Sequence, residues 1–536
     1  MQITPPICKR QIISALSFLV KPITCQPAFF VLLYILLNSP DIFSLVLHSF
    51  VPLFKVSSGF LLCYLLSSLA VVLPSSLRKV YKSFLLILAA ILFMADAFLL
   101  LVYGDTLGTI SKDAVAAVMA TNPAETVEFF ATIFTVDRLF VITVMIFAIS
   151  ILFCYFRRMH FVWNNVCRCL LMLVLLATTA ITLKSCTRLK ESNFFYLLTY
   201  DCPDLRDYKH NPSVLCTGEH LDNIVLVIGE SFAKFHSSLY EYDKETNPFL
   251  SRLRSDGAML VYDNVTSAYG TTIPSVKSIM MSYLDSMSDS VDWFRCLTLI
   301  EVMQKAGYKT HWISNQSKTG LFDNEVGRFS DLCDEQFFVG NKHSGMNREY
   351  TDEELIPFVK GCLSDTSQPQ FIVIQLMGSH FEFNKRYPPE FSRFNSADYV
   401  ESHSHLSAYN RAVVAEYDNS VLYNDSVVYE LMTCFEQENS IVFYFSDHGI
   451  DVFQSSDDYI GHAKTNDVIS VSESKKIPFM VYTTRLFRDR HPELQKRIEN
   501  AVNRPYRTDS IMYTVMDVAG VETVNGVSYR HKSLFK

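Results

Sequence analysis

The sequence predicts an N-terminal five-helix transmembrane bundle followed by a C-terminal α/β/α domain with a mainly parallel central sheet. The first observation behind this prediction is an uneven distribution of apolar residues. The chain is 49% hydrophobic with a mean hydropathy of +0.17, and most of the excess lies before about Leu183. The second is that strand-like runs alternate with helical stretches from Asn223 onward, which is typical of a parallel sheet covered by helices. A length of 536 residues also indicates at least two domains.

Five apolar segments in the first part of the chain are long enough, or nearly so, to cross a bilayer. They lie at 29–48, 56–73, 80–102, 139–156 and 169–183. A spanning helix needs about 20 apolar residues, and these segments are apolar all round rather than along one stripe. We therefore predict a transmembrane domain over 1–184. Lys21 and Pro22 interrupt the apolar run after Val20, so no cleavable signal peptide is expected.

Basic residues predict which side of the membrane the rest of the chain occupies. They gather before the first segment and in every second loop after it, at Lys9, Arg10, Arg78, Lys79, Lys82, Arg157, Arg158 and Arg168. By the positive-inside rule these loops face the cytoplasm, so five spans place everything after Leu183 outside. Residues 185–221, with the aromatic group Phe194-Phe195-Tyr196, suit an interfacial linker. Residues 222–536 form the exported domain.

Charge and cysteine content narrow the classes of partner and site. A net charge of −8 offers no basic surface for nucleic acid, so we expect no such partner. The chain has thirteen cysteines, but those in its polar half form no C-x-x-C pair, which argues against a structural zinc knuckle. If this half is exported, Cys202 with Cys216 is the pairing we favour.

Alternating strands and helices are predicted throughout the exported domain. The strands are expected at 224–228, 259–262, 310–313, 371–376, 441–445 and 479–482. Helical periodicity occurs around 274–284, 302–306, 353–363, 413–434 and 493–502. Carboxyl ends of parallel strands meet at one edge of a sheet, where ligands of α/β folds bind.

Acidic and histidine side chains follow these strands where the strands end. Glu230 comes directly after the apolar run 224–228, and Asp447 and His448 follow 441–445. Carboxylate and imidazole are zinc ligands, and a hydroxyl held against such a metal becomes a nucleophile. An Asp-His pair alone is more often an ordinary turn, so the prediction depends on these strand ends sharing one edge.

The segment from Ala268 to Ser275 supplies the candidate hydroxyl. Gly270 permits a tight turn, and Thr272 lies near the start of a predicted helix, where the dipole favours phosphate. Thr271 remains an alternative nucleophile, and either threonine is also typical of a helix cap. His380, after another strand, and His462 are further candidates, although single loop histidines usually have structural roles.

An alternative prediction is a serine hydrolase, because Gly229-Glu-Ser231-Phe-Ala233 partly matches the G-x-S-x-G nucleophile elbow. Ser231 would then attack an ester. The last glycine is replaced by Ala233, and the adjacent Asp447 and His448 are poorly spaced for a triad. This interpretation also leaves Glu230 without a role.

Several motifs together resemble one family, the membrane-bound phosphoethanolamine transferases of the alkaline phosphatase and sulfatase superfamily. This group includes lipid A modifying enzymes associated with polymyxin resistance. The resemblance covers nearly the whole chain and includes the five spans. Its motifs are Leu37-Asn-Ser-Pro40, Val227-Ile-Gly-Glu-Ser231, Leu239-Tyr-Glu-Tyr, Glu245-Thr-Asn-Pro248, Gln375-Leu-Met-Gly-Ser-His380, Tyr417-Asp-Asn-Ser420, Ser446-Asp-His-Gly449 and Gly461-His462.

The resemblance implies an alkaline phosphatase/sulfatase-like fold and a Zn²⁺ ion held by Glu230, Thr272, Asp447 and His448. It implies that Thr272 attacks phosphatidylethanolamine, releases diacylglycerol and passes the phosphoethanolamine group to an envelope acceptor, a lipid A phosphate or a core sugar. His380 and His462 would bind the phosphoryl oxygens, hold a second zinc or protonate the leaving group.

The resemblance also implies substrate contacts and a location. Ser317 and Lys318 are similar to the family's substrate-binding loop, and Thr121 and Glu125 to its contact beside the membrane. The protein would be a monomer of the bacterial inner membrane with its catalytic domain in the periplasm.

Some positions depart from the family's pattern. Tyr269 and Lys277 stand where the polymyxin-resistance members place a disulfide around the nucleophile, and Ala117 replaces a usual Asn. The Tyr-Gly-Thr-Thr-Ile sequence is closer to relatives that modify core sugars, so the acceptor stays open. A phosphoglycerol transferase of the lipoteichoic acid type and an inactive lipid-binding relative are the remaining alternatives.

Overall fold

The described part of the chain forms two compact units. The computed structural model describes residues 14, 17–47, 53–103, 136–158, 163–185, 203–282, 292–318, 325–339, 351–365, 367–457, 459–462 and 468–536. The described residues up to 185 belong to one unit and those from 203 onward to the other. Thr121, Glu125 and Cys202 lie outside the described residues, so their predicted roles stay predictions.

Helices occupy the five positions where spans are predicted. After a short helix α1 (Lys21–Thr24), they are α2 (Pro27–Leu47), α3 (Leu53–Val72), α4 (Ser75–Tyr103), α5 (Val136–Arg158) and α6 (Asn165–Ser185). Helix α2 continues without interruption through the motif Leu37-Asn-Ser-Pro40, although proline usually breaks or kinks a helix interior. Within the described residues, α6 alone contains a stretch long and apolar enough to span a bilayer, Asn165–Thr182 with a mean hydropathy of 1.8. That all five helices cross a membrane stays a prediction.

The first unit combines a small buried core with extensive exposed apolar surface. Phe30, Leu33 and Leu36 of α2 are buried in that core. Elsewhere large apolar side chains expose more than half of their surface, among them Val72, Phe84, Ile87, Phe147 and Leu173. Such exposure is unusual for a helical domain surrounded by water.

A seven-stranded sheet forms the centre of the second unit. Its strands are β2 (Asn223–Gly229), β3 (Met259–Val261), β5 (Lys309–Ser314), β6 (Glu335–Phe338), β7 (Gln370–Gln375), β8 (Ser440–Ser446) and β11 (Phe479–Thr483), in the order β3-β11-β8-β2-β7-β5-β6. Strands β8, β2, β7, β5 and β6 pair in parallel, whereas β11 is antiparallel to both of its neighbours. The sheet is therefore mixed.

Short strands outside the main sheet form three pairs. They are β1 (Val214–Cys216), β4 (Val265–Thr266), β9 (Asp451–Val452), β10 (Ile460–Gly461), β12 (Tyr506–Arg507) and β13 (Val521–Val524). Strand β1 pairs with β13, so the end of the predicted linker is part of the second unit.

All six predicted strands are present, and β6 is a seventh that the sequence did not suggest. Every residue of β2, β7 and β8 is buried, which explains their continuous apolar sequences. The helices of this unit are α7 (Pro248–Ser255), α8 (Thr272–Met280), α9 (Leu299–Lys305), α10 (Gly327–Ser330), α11 (Ile356–Leu363), α12 (Ala408–Thr433), α13 (Val468–Glu473), α14 (Arg485–Arg490), α15 (Pro492–Asn500) and α16 (Ile511–Val518).

Candidate active site

Parallel pairing of β2 with β8 brings the first three candidate residues together. Gly229 lies opposite Ser446 in this pair, so the next residues, Glu230 and Asp447, leave the sheet side by side. The backbone N–H of Asp447 donates to Gly229 O at 3.0 Å, which fixes the two chain ends against each other. The sheet edge therefore holds Glu230, Asp447 and His448 in one place.

These three side chains form a tight and fully buried cluster. His448 Nε2 lies 3.2 Å from Glu230 Oε1 and 3.4 Å from Asp447 Oδ2. One ligand atom from each residue lies within 4.8 Å of the others, and each residue is 1% exposed. Buried charges in proteins are normally paired or coordinate a metal.

Thr272 brings its hydroxyl to the same cluster from the first turn of α8. Its Oγ1 lies 3.1 Å from both Glu230 Oε2, to which it donates, and His448 Nε2. Thr271 is the N-cap residue of α8, and its side chain makes no capping hydrogen bond. The geometry therefore favours Thr272 over Thr271 as the reactive hydroxyl.

The electrostatics of the cluster are those of two carboxylates competing for one positive charge. Burial raises the pKa of Asp447, and the negative charge of Glu230 raises that pKa further. Burial alone would raise the pKa of Glu230 too, but the charge of His448 holds it below its usual range. Burial would lower the pKa of His448, but the two carboxylates raise it to about 9.

His448 is oriented by the residue that follows it. Its Nδ1 lies 2.8 Å from Gly449 O, which leaves Nε2 directed at Glu230 and Thr272. A Cβ atom on Gly449 would lie 2.7 Å from Glu473 O, so only glycine permits this close approach of the two backbone segments. A backbone carbonyl bound to one imidazole nitrogen is the usual way to present the other to a metal.

Ser231 supports Glu230 rather than standing exposed as a nucleophile. Ser231 is fully buried, and its Oγ donates to Glu230 Oε1 at 2.7 Å. Its φ of 56° lies in the left-handed region, which tilts the chain so that its N–H faces Asp447 Oδ1 at 3.3 Å. A strained backbone at this serine would suit an elbow, but the elbow also requires an exposed hydroxyl, whereas the Ser231 hydroxyl is buried and bound to Glu230.

Gln316 is a part of the site that the sequence did not reveal. Its Nε2 donates to Glu230 Oε2 and to Leu376 O, both at 3.0 Å. Its Oε1 accepts from Gln375 Nε2 at 2.9 Å, so the amide is held from both ends. Two sequence signals point to this position: Gln316 follows strand β5, as Glu230 follows β2, and it precedes Ser317 and Lys318 in the loop that resembles the family's substrate-binding loop.

The loop that carries His380 is bound tightly to the loop of Glu230. Gly378, with φ +51°, allows an approach in which a Cβ atom would lie 2.8 Å from the backbone N and O of Glu230. The N–H of Ser379 donates to Glu230 O at 3.0 Å. His380 is close enough for its charge to lower the pKa of both Glu230 and His462.

His462 lies beside His448 at the end of β10. Their ring centroids are 4.5 Å apart, with an interplanar angle of 76°. Burial, together with the charge of His448, lowers the pKa of His462 to about 3. Its Nδ1 is buried and has no hydrogen-bond partner among the described residues. A bound phosphoryl group or metal ion would supply the missing partner of this imidazole nitrogen.

Lys318 has a different set of contacts from those of the cluster. Its Nζ lies 2.6 Å from Asp331 Oδ1 and 2.7 Å from Gln336 Oε1. In this loop it is Gln316, two residues before Lys318, that contacts Glu230. A substrate role for Ser317 and Lys318 stays a prediction.

The Tyr417 to Ser420 motif holds the loops of the site in place. Tyr417 Oη accepts from Ala233 N and donates to Ser231 O, both at 2.8 Å. Ser420 Oγ donates to Ser379 Oγ at 3.0 Å. This segment of α12 is therefore structural, and it connects the Glu230 loop to the His380 loop.

Comparison with known proteins agrees with this architecture. The family model described as Sulfatase matches residues 222–521, which is more than half of the chain. The chain belongs to the sulfatase family. It is 30% identical over 329 residues to the phosphoethanolamine transferase EptC of Escherichia coli, covering 60% of this chain and 53% of that protein. The chain thus spans about half the length of the curated relatives it matches.

Two solved structures extend the comparison. The C-terminal periplasmic domain of E. coli EptC, crystallised in complex with Zn, aligns with a TM-score of 0.53 and 27% identity, covering 60% of this chain and 87% of that one. The integral membrane protein lipooligosaccharide phosphoethanolamine transferase A of Neisseria meningitidis aligns with a TM-score of 0.63, covering 95% and 97% of the two chains. At 19% identity the second alignment shows a shared fold. The resemblance to phosphoethanolamine transferases is confirmed.

The residues present fit a divalent metal. Asp447 Oδ2 is buried and accepts no hydrogen bond from any described residue, which leaves one strong ligand atom unsatisfied. Two carboxylates, an imidazole nitrogen and a hydroxyl are the hard and borderline donors that Zn²⁺ accepts in a four-coordinate site.

Proposed function

We propose that this protein is a zinc-dependent phosphoethanolamine transferase. It takes the phosphoethanolamine group from phosphatidylethanolamine onto Thr272, releases diacylglycerol and passes the group to a cell-envelope acceptor. The observation that carries this proposal is the position of Thr272 Oγ1, 3.1 Å from both Glu230 Oε2 and His448 Nε2. Relatives named as phosphoethanolamine transferases support the choice of headgroup.

Glu230, Thr272, Asp447 and His448 would hold the zinc ion. Bound zinc would act as a Lewis acid that favours the ionised form of the threonine hydroxyl. The Zn complex of the EptC periplasmic domain supports the choice of metal, and the unsatisfied Asp447 Oδ2 supports Asp447 as a ligand. One ion accounts for the cluster, and a second near His380 and His462 is a further expectation.

The reaction would proceed in two displacements at phosphorus. Glu230 Oε2 accepts the hydrogen bond of the Thr272 hydroxyl and lies within reach of its proton. Thr272 Oγ1 then forms a bond to phosphorus and passes its proton to Glu230, the bond from phosphorus to the diacylglycerol oxygen breaks, and His380 supplies a proton to that oxygen. In the second step an acceptor hydroxyl attacks the same phosphorus and gives its proton to His380, the bond from phosphorus to Thr272 Oγ1 breaks, and Thr272 regains its proton from Glu230.

The exposed apolar surface of the first unit supports a location beside the lipid donor. Only 11% of the stretch Asn165–Thr182 is buried, so most of its apolar side chains require a nonaqueous neighbour. We propose that the helices anchor the protein in the inner membrane and that the second unit works in the periplasm.

The acceptor is proposed as lipid A or a core sugar of lipopolysaccharide. In the polymyxin-resistance members a disulfide encloses the nucleophile, whereas here Lys277 of α8 forms an ion pair with Glu325 at 2.7 Å. Lys277 Nζ also lies 4.9 Å from the centroid of the Trp293 ring. This different surrounding supports an acceptor other than the lipid A phosphate, and we favour the core sugar.

Mass spectrometry of envelope lipids and glycans from cells with and without the protein tests this proposal. We expect one added phosphoethanolamine unit on a single acceptor, with diacylglycerol formed in equal amount. A phosphoglycerol unit on the acceptor would show that the donor lipid carries a glycerol headgroup instead of ethanolamine. Ester hydrolysis that is sensitive to serine-directed reagents, without group transfer, would overturn the proposal.

A further inference from the structure

A second group of metal-ligand side chains lies in the same sheet, away from Glu230. His311 of β5 lies directly opposite Glu335 in the parallel pair β5–β6, and Cys362 of α11 packs against them. One ligand atom from each of the three lies within 4.8 Å of the others. None of these residues takes part in the candidate active site.

The distances within this group match the edges of a tetrahedral metal site. His311 Nδ1 lies 3.4 Å from Cys362 Sγ and 3.3 Å from Glu335 Oε2. Ligand atoms bound to zinc at about 2.0–2.3 Å in tetrahedral geometry are about 3.3–3.7 Å apart. The two distances from His311 Nδ1 are therefore those of a tetrahedral zinc site, and the third pair of ligand atoms also lies within 4.8 Å.

The net charge around the group is negative, which favours binding of a divalent cation. Glu335 uses Oε1 for an ion pair with Lys309 at 2.8 Å, while Oε2 stays directed at His311. Lys309 also pairs with Asp365 at 3.0 Å. With Cys362 as a thiolate, Glu335, Asp365 and Cys362 carry three negative charges and Lys309 carries one positive charge. One divalent cation would neutralise the difference of two.

The donor types select a particular class of metal. A thiolate with an imidazole suits a borderline or soft transition metal such as Zn²⁺ and disfavours Mg²⁺ and Ca²⁺. Burial raises the pKa of the Cys362 thiol to about 11. Binding of a metal to Cys362 would release the thiol proton to solvent.

The position of the group indicates what the ion would do. Strand β6 is four residues long and lies at the edge of the sheet, where it pairs with β5 alone. An edge strand is hydrogen-bonded to the sheet on one side only. We propose that His311, Glu335 and Cys362 form a structural Zn²⁺ site that ties β6 and α11 to β5, with a water molecule as fourth ligand.

Cobalt substitution tests this site because a sulfur-to-cobalt charge-transfer band requires a thiolate ligand, and the candidate active site contains no cysteine. The full-length protein in detergent, reduced and freed of metal, is titrated with Co²⁺. Cys362→Ser is compared with Cys434→Ser, a half-buried cysteine outside the group. We expect the band in the wild type and in Cys434→Ser, and its loss in Cys362→Ser and in His311→Ala.

Metal content separates this site from the one at Glu230. We expect Cys362→Ser to lose about one equivalent of zinc per chain and to melt at a lower temperature, because a bound ion stabilises the folded state. Glu230→Gln is expected to keep the thiolate band. A wild-type protein without the band, or a band that persists in Cys362→Ser, would overturn the proposal, even if phosphoethanolamine transfer proceeds as expected.

Discussion

The two clusters of ligand residues on the central sheet have similar chemistry and different surroundings. Glu230, Asp447 and His448 lie beyond the carboxyl ends of β2 and β8, whereas His311 and Glu335 lie within strands. The first cluster is joined by the hydroxyl of Thr272, and the second has the cation Lys309 beside it. A ligand set alone therefore does not define a catalytic site; a nucleophile beside the ligands, at the ends of parallel strands, is also required.

Removing the nucleophile should give the largest difference in transfer activity between variants of the two clusters. Thr272→Ala should lower phosphoethanolamine transfer by a factor on the order of 10³ or more, because no covalent intermediate can form. Transfer is measured from labelled phosphatidylethanolamine by the full-length protein. The matched control Thr271→Ala, and Cys362→Ser from the second cluster, should stay within a few-fold of the wild type. Equal losses in both threonine variants would contradict the assignment.

Removing a metal ligand should abolish transfer together with one equivalent of metal. Glu230→Gln keeps the size of the side chain but loses the charge that holds the ion. We expect zinc content to fall by about one equivalent per chain and transfer to fall by about as much as in Thr272→Ala. Metal analysis beside the transfer assay tests this. Full zinc occupancy in Glu230→Gln would exclude Glu230 as a ligand.

Gln316 should have an intermediate effect because it acts on the site through Glu230. Gln316→Ala removes the hydrogen bond to Glu230 Oε2, and losing such a support typically costs about 10- to 100-fold in metal affinity or activity. The readout is zinc affinity measured by competition with a chelator. Gln495→Ala, a buried glutamine of α15, serves as the control. If excess zinc does not restore transfer in Gln316→Ala, the proposed route through the metal ligand is wrong.

An effect of about the same size as that at Gln316 is expected at Ser231. Ser231→Ala loses one hydrogen bond to the Glu230 carboxylate, which is worth about 1.5–3 kcal/mol, so transfer should fall by roughly 10- to 100-fold. A complete loss of transfer with unchanged zinc content would instead indicate that Ser231 is the nucleophile. The same transfer and metal assays decide this.

The sequence predicted the first cluster well for a simple geometric reason. Glu230, Asp447 and His448 each follow a strongly apolar strand, and parallel strands end at one edge, so their convergence follows from the strand positions. The order of the sheet was not predictable in the same way. In β11, Phe479–Thr483, an apolar run looks the same in either direction, and its antiparallel pairing depends on the path of the connecting chain.

The residues that the sequence did not reveal act through contacts between distant segments. Gln316 and Glu230 are 86 residues apart, and a lone glutamine after a strand carries no signal of its own. The second cluster is hidden for the same reason, since His311, Glu335 and Cys362 form no local motif. Strand β6 was missed because its sequence, Glu-Gln-Phe-Phe, is short and half polar.

Trapping the phosphoryl group on the protein tests the central claim most directly. The wild-type protein is incubated with phosphatidylethanolamine without acceptor, digested and analysed by tandem mass spectrometry. We predict a phosphoethanolamine adduct on Thr272 that disappears when acceptor is added and is absent in Glu230→Gln. An adduct on Ser231 or Thr271, or efficient transfer with no adduct on Thr272, would contradict the account.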